Sequence, residues 1–185
     1  MSADPVPPAF ISALTSLRDA QIDAGLTVRE VPAPDHLAPW AAAVEVATGE
    51  SASATGRGTL VILFDLDQED IWGAPMRLVG HARMRIDSHQ SADPLLGEVI
   101  WSTLQESLRE AGAEPLACVG TVTREISETF GGLELQGGAL HADLRCSWTA
   151  AEETLTADLE GWAEALRRNC GLMPQGVTPM EGSHD

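Results

Sequence analysis

Between Met76 and Ile86 the chain alternates without a break. Met76, Leu78, Gly80, Ala82, Met84 and Ile86 share one parity, and Arg77, Val79, His81, Arg83 and Arg85 share the other. Successive side chains of a β-strand point to opposite faces, so this stretch predicts a strand with one apolar and one polar, mostly cationic face. Such a strand cannot be buried on both sides. It requires a sheet that is packed on one face and wet on the other, which antiparallel sheets tolerate and all-parallel sheets do not.

The rest of the chain supplies the packing layer. Phe10, Ile11, Leu14, Leu17 and Ile22 recur at helical spacing, and Gly25 stops them. Asp93 as N-cap and Pro94 at the first helical position open a second helix, whose stripe Leu96, Ile100, Leu104 and Leu108 ends before Gly112. Thr149 and Glu152 read as a capping box for a third, with Leu155, Leu159, Trp162 and Leu166 as its stripe and Arg167 and Arg168 in its last turn.

Further strands are expected around Trp40 to Ala47, Gly58 to Asp67, Leu116 to Ile126 and Ala139 to Trp148. The run Leu60 to Phe64 is apolar at both parities and belongs centrally in the sheet. Thr27 to Pro34 is broken by prolines and makes an edge strand at most. Small residues at Ser51 to Gly58 and the glycines 131, 132, 137 and 138 form links. The order α-β-β-β-α-β-β-α predicts an α+β fold of two layers, a mainly antiparallel sheet of about five strands with helices on one face. That order resembles the small acidic chaperones of type III secretion, which are homodimers. Residues 9–171 form one domain on this reading, between a disordered lead (1–8) and a disordered tail (172–185).

Composition then removes function classes. The formal net charge is −17, and all eleven basic residues are arginine. Absence of lysine removes Schiff-base and lysine-clamp chemistry. It also fits a high-GC gene. Nucleic-acid binders carry a basic footprint, so direct binding to nucleic acid or to anionic membranes is not expected. No apolar run of membrane-spanning length and no signal sequence occurs, and three cysteines at no metal spacing fit a reducing, cytoplasmic setting.

Two motifs invite chemistry. Val61 to Phe64 followed by Asp65-Leu66-Asp67 is a strand delivering paired carboxylates, as haloacid-dehalogenase-type phosphotransferases use around Mg²⁺. The residues that follow, Gln68, Glu69 and Asp70, lack that family's turn, and a solvated acidic loop is the better account. The polar sheet face is the stronger candidate. Arg77, His81, Arg83 and Arg85 share it with His141, Asp143 and Arg145, and with Thr121 and Thr123 beside Glu125. Arginine forks there could grip a carboxylate, a phosphate or an acidic peptide. The plain structural account is a cross-strand ladder in which arginines pair with carboxylates.

Nothing suggests a cofactor or a metal: the histidines at 36, 81, 89, 141 and 184 show no ligand spacing. Cys118 and Cys146 share parity with apolar neighbours and read as core thiols. Trp101, Trp148 and Trp162 read as core. Trp72, in a turn region, either anchors a partner or folds back as a plug.

Several stretches together resemble a known family. Leu37-Ala38-Pro39-Trp40, Ala92-Asp93-Pro94-Leu95-Leu96 with Trp101-Ser102, Gly120-Thr121-Val122-Thr123-Arg124 with Ser127 and Phe130-Gly131, and Arg145-Cys146-Ser147-Trp148-Thr149 are similar to an actinobacterial family catalogued as a domain of unknown function, number three thousand. The likeness spans about Phe10 to Ala150. It implies no reaction, cofactor or catalytic residue, only a frequent neighbourhood with a gene for a ribonuclease-D-like exonuclease.

The expected function is therefore a non-enzymatic, chaperone- or adaptor-like protein, an acidic homodimer that binds a partner polypeptide. A first alternative is a binder or enzyme of a small anionic ligand on the polar face, with His81 as its acid–base group. A second is an RNA-associated factor.

Overall fold

The computed structural model describes residues 5–49, 55–131 and 139–174. Six strands form one open antiparallel sheet: β1 (Leu26–Val31), β2 (Trp40–Thr48), β3 (Gly56–Phe64), β4 (Met76–Arg85), β5 (Leu116–Ser127) and β6 (Ala139–Thr149). Their spatial order is β1-β2-β3-β4-β6-β5. The expected five strands thus become six. Leu26 to Val31 pairs with β2 along its whole length, because Pro32 and Pro34 fall just beyond it and end the strand rather than prevent it. The fold is α+β, with β3 inside the sheet as its two-sided apolar pattern requires.

The helices are α1 (Pro8–Ser16), α2 (Glu69–Trp72), α3 (Ser88–Ala92), α4 (Leu96–Ala111) and α5 (Leu155–Asn169). The core lies between the sheet and the long helices. Met76, Leu78, Ala82 and Met84 of β4 meet Leu104 and Leu108 of α4 and Leu155, Leu159, Trp162 and Leu166 of α5. Glycines shape this contact. The Trp162 indole lies so close to β3 and β4 that a Cβ at Gly58 would stand 2.9 Å from it and one at Gly80 2.7 Å. Gly161 lets α5 approach α4 closely, with Leu108 Cα only 2.7 Å from where a Cβ would sit.

Two helix starts differ from expectation. Asp93 Oδ1 accepts the Leu95 amide at 2.8 Å in a turn before the helix, which begins at Leu96 without a side-chain cap. Thr149 does not cap α5. It is buried in β6 and donates to the Trp72 carbonyl at 2.6 Å, so its hydroxyl is already committed inside the sheet. A 3-10 turn, Glu152–Thr154, leads into α5 instead.

The links expected at 51–54 and at Gly132, Gly137 and Gly138 lie outside the described residues, as do His184, residues 1–4 and the chain beyond 174. Among the described residues no helix is long and apolar enough to cross a membrane.

Candidate functional site

Helices α1, α4 and α5 cover one face of the sheet. The other face collects the odd-numbered residues of all six strands. Its rows follow from the register. Glu45, Thr59, His81, Arg145 and Thr121 lie side by side, the next row holds Arg57, Arg83, Asp143 and Thr123, and the next Arg85, His141 and Glu125. All nine sequence-derived site residues therefore fall on one face: Arg77, His81, Arg83 and Arg85 on β4, His141, Asp143 and Arg145 on β6, Thr121 and Thr123 on β5.

They do not form one cluster. At the centre, Arg83 Nη1 donates to Asp143 Oδ2 and to Glu125 Oε2, both at 2.9 Å. His81 Nε2 lies 3.3 Å from Asp143 Oδ1, and Ser127 Oγ donates to Glu125 Oε1 at 3.1 Å. The hydrogen bond from Arg83, then the one from Ser127, holds the Glu125 carboxyl below its ordinary value; the same contact with Glu125 raises Arg83. On the β1 side Glu45 accepts from Arg29 at 2.8 Å and from Arg57 at 3.1 Å, and is likewise held low, first by Arg29.

Arg77 stands apart. Its guanidinium donates to the hydroxyls of Thr149 and Ser147, at 2.9 and 2.7 Å, and to the Ala117 carbonyl at 3.4 Å. Burial there lowers its pKa. His141 Nδ1 is buried and has no hydrogen-bond partner among the described residues. The side chains of Arg85, Arg145, Thr121 and Thr123 make no hydrogen bond or ion pair with described residues, and all four are exposed.

Electrostatics single this face out. Its strands direct six of the eleven arginines to it, Arg29, Arg57, Arg77, Arg83, Arg85 and Arg145, against three carboxylates, Glu45, Glu125 and Asp143. That is a local balance of +3 in a chain of −17.

The opposite end of the face is apolar and covered. Trp72 packs with Val31, Ala33, Ala38 and Ala41 over the buried Ala43, Val61 and Leu63. The tryptophan is thus a plug. The Asp-x-Asp motif belongs to the same excursion, and its geometry is that of a cap: Asp65 Oδ1 accepts the Asp67 amide at 3.0 Å.

Nucleophile chemistry finds no support in the thiols. Burial pushes Cys146 up to about 12 and Cys170 to about 11, and it raises Cys118 against the opposing charge of Arg77. A cavity of about 250 Å³ lies away from the face, lined by Ser12, Ala13, Ser16, Glu152 and Glu153, an acidic lining unsuited to an anion.

Sequence reasoning missed Glu45 and Arg57 as members of this surface. Glu45 is the one charged residue among the alanines of its strand face, a signal that could have found it. Arg57 falls against the small-residue link, where alternation cannot be carried through.

No curated protein and no solved structure matches the chain. The family model described as "Protein of unknown function (DUF3000)" matches residues 6–178, and with nearly the whole chain covered, the protein belongs to that family.

Proposed function

We propose that the protein is a non-enzymatic binding domain whose open sheet face holds an extended, acidic segment of a partner polypeptide. One observation carries this reading: strand residues on the open face that sum to +3, with Arg85 and Arg145 exposed and unpaired among the described residues, on a chain of −17. Arg85 and Arg145 lie on adjacent strands, four register positions apart, or about 13 Å along the strand direction. An extended acidic chain can place carboxylates at that separation, whereas a small anion would reach only one of them. Arg29, Arg57 and Arg83 are paired with Glu45, Glu125 and Asp143, and Arg77 is held by the Thr149 and Ser147 hydroxyls, which orders the rest of the surface.

The unpaired cysteines suit a reducing compartment, and we place the protein in the cytoplasm. Arg83 is not the residue to mutate in testing this, because reversing its charge would set a new carboxylate against the buried Asp143. The test is fluorescence anisotropy with two labelled peptides, alternating Glu-Thr and alternating Lys-Thr. The acidic peptide binds, binding weakens with salt, and Arg85→Glu with Arg145→Glu abolishes it. Equal binding of the two peptides, or unchanged binding by the double variant, would reject the reading.

A further inference from the structure

We infer that β5 pairs antiparallel with β5 of a second copy of this chain, across a two-fold axis at Thr123, joining two six-stranded sheets into one of twelve.

The edge itself is the first argument. β5 runs for twelve residues and, among the described residues, pairs on one side only. Unpaired edges are normally blocked by lysine, proline, bulges or brevity. β5 carries no lysine and no proline, and its one irregularity lies at its start, between Leu116 and Val119. From Val119 to Ser127 the ladder to β6 is regular, so a row of main-chain donors and acceptors faces outward along these positions.

Register is the second. Two identical antiparallel strands are related by an axis perpendicular to the sheet, which keeps both helix layers on the same side. Same-face residues must then face each other, and full overlap of Val119 to Ser127 with itself places Thr123 opposite Thr123. Every other pair follows without adjustment. Thr121 meets Glu125 of the second copy, a hydroxyl beside a carboxylate, and Val119 meets its Ser127. On the helix side Gly120 meets Ile126 of the second copy.

That last pair is the third argument. Ile126 is 64% exposed, a large apolar side chain without cover among the described residues. Over Gly120 lies the Trp101 ring, whose nearest atom is 2.5 Å from where a Cβ would stand. In the register centred on Thr123 each Ile126 lands beside the other copy's half-buried Trp101, twice per dimer. Charge does not oppose the contact locally, since Arg124 and Glu125 cancel on the strand and Arg124 is held by the carbonyls of Asp93 and Ser91, at 2.9 and 3.4 Å. At long range two chains of −17 repel each other, so the dimer tightens as salt rises, opposite to the acidic peptide of the open face.

Native mass spectrometry and light scattering of the full chain read the result. The wild type gives twice the 19.6 kDa chain mass. Thr123→Lys sets two like charges opposite each other on a solvated face and weakens dimerisation roughly ten-fold or more, while the circular dichroism spectrum of the fold stays unchanged. Thr123→Cys, mildly oxidised, cross-links far faster than Thr121→Cys or the wild-type chain with its native cysteines. A monomeric wild type, a Thr123→Lys dimer of undiminished affinity, or equal cross-linking at 121 and 123 would overturn the inference. The two proposals fail separately: Arg85→Glu with Arg145→Glu loses the peptide and keeps the dimer, while Ile126→Asp, on the helix side of β5 and away from the peptide face, weakens the dimer and keeps the peptide.

Discussion

The two edges of the sheet are built on opposite plans. β1 has six residues, carries Arg29 and Glu30 in its second half, and ends against Pro32 and Pro34. Arg29 is tied inward to Glu45, and no strand could extend far along this edge before meeting a proline. β5 is twice as long and rich in Val, Thr and Ile, the residues that suit a paired, pleated surface. Both edges bound the same face, yet only β5 has the length and composition to accept another strand. Edge chemistry, more than sheet size, decides where such a fold can grow.

The largest expected effect breaks β5 from inside. Gly120→Val would drive a side chain into Trp101 and toward the Arg145 carbonyl oxygen, 2.7 Å from the Cβ position, and should cost about 3 kcal/mol in urea unfolding and abolish the dimer. Asp158 sharpens the contrast next, because it anchors β6, the neighbour of β5. It accepts Trp148 Nε1 at 2.7 Å and is fully buried, and burial raises its pKa from 3.8 to about 6. The folded state therefore holds this proton where the unfolded chain has lost it. The stability it lends is present in full below about pH 4, declines as pH rises through about 6, and then stays level, a loss of about 3 kcal/mol. Asp158→Asn should remove that decline, read as the wild-type minus variant difference in urea midpoint across the window.

Smaller effects separate the edges directly. Thr123→Lys on β5 should weaken dimerisation roughly ten-fold, about 1.4 kcal/mol. Glu45→Gln, which leaves Arg29 and Arg57 without their shared carboxylate, should cost under about 1 kcal/mol by thermal melting and strengthen acidic-peptide binding slightly. Val28→Lys on β1 should change stability by less than about 0.5 kcal/mol and leave the oligomeric state untouched.

Local pattern made the layers of this fold legible. The alternation of Met76 to Ile86 named the face that holds Arg77, His81, Arg83 and Arg85, and the Leu stripes named the helices that cover the opposite one. Strand order was not legible, because the insertion of β6 between β4 and β5 is decided by which apolar surfaces meet, not by any residue's propensity. For the same reason Arg83 could be placed on a face but not given Asp143 and Glu125 as partners from two different strands. Trp72 could equally have been a plug or an anchor. The Ala43, Val61 and Leu63 side chains beneath it, brought together from two strands, make it a plug. The capping pattern at Thr149 misled because the sheet claims that hydroxyl before the helix begins.

Residue-resolved amide exchange on the wild-type chain, at a concentration where the dimer dominates, tests the difference between the edges most directly. A strand paired on both sides protects every amide, whereas an edge strand protects alternate ones. Continuous protection from Val119 to Ser127, beside alternating protection from Leu26 to Val31, is the expected result. Alternation along both strands would contradict it, and β5 would then be as free an edge as β1.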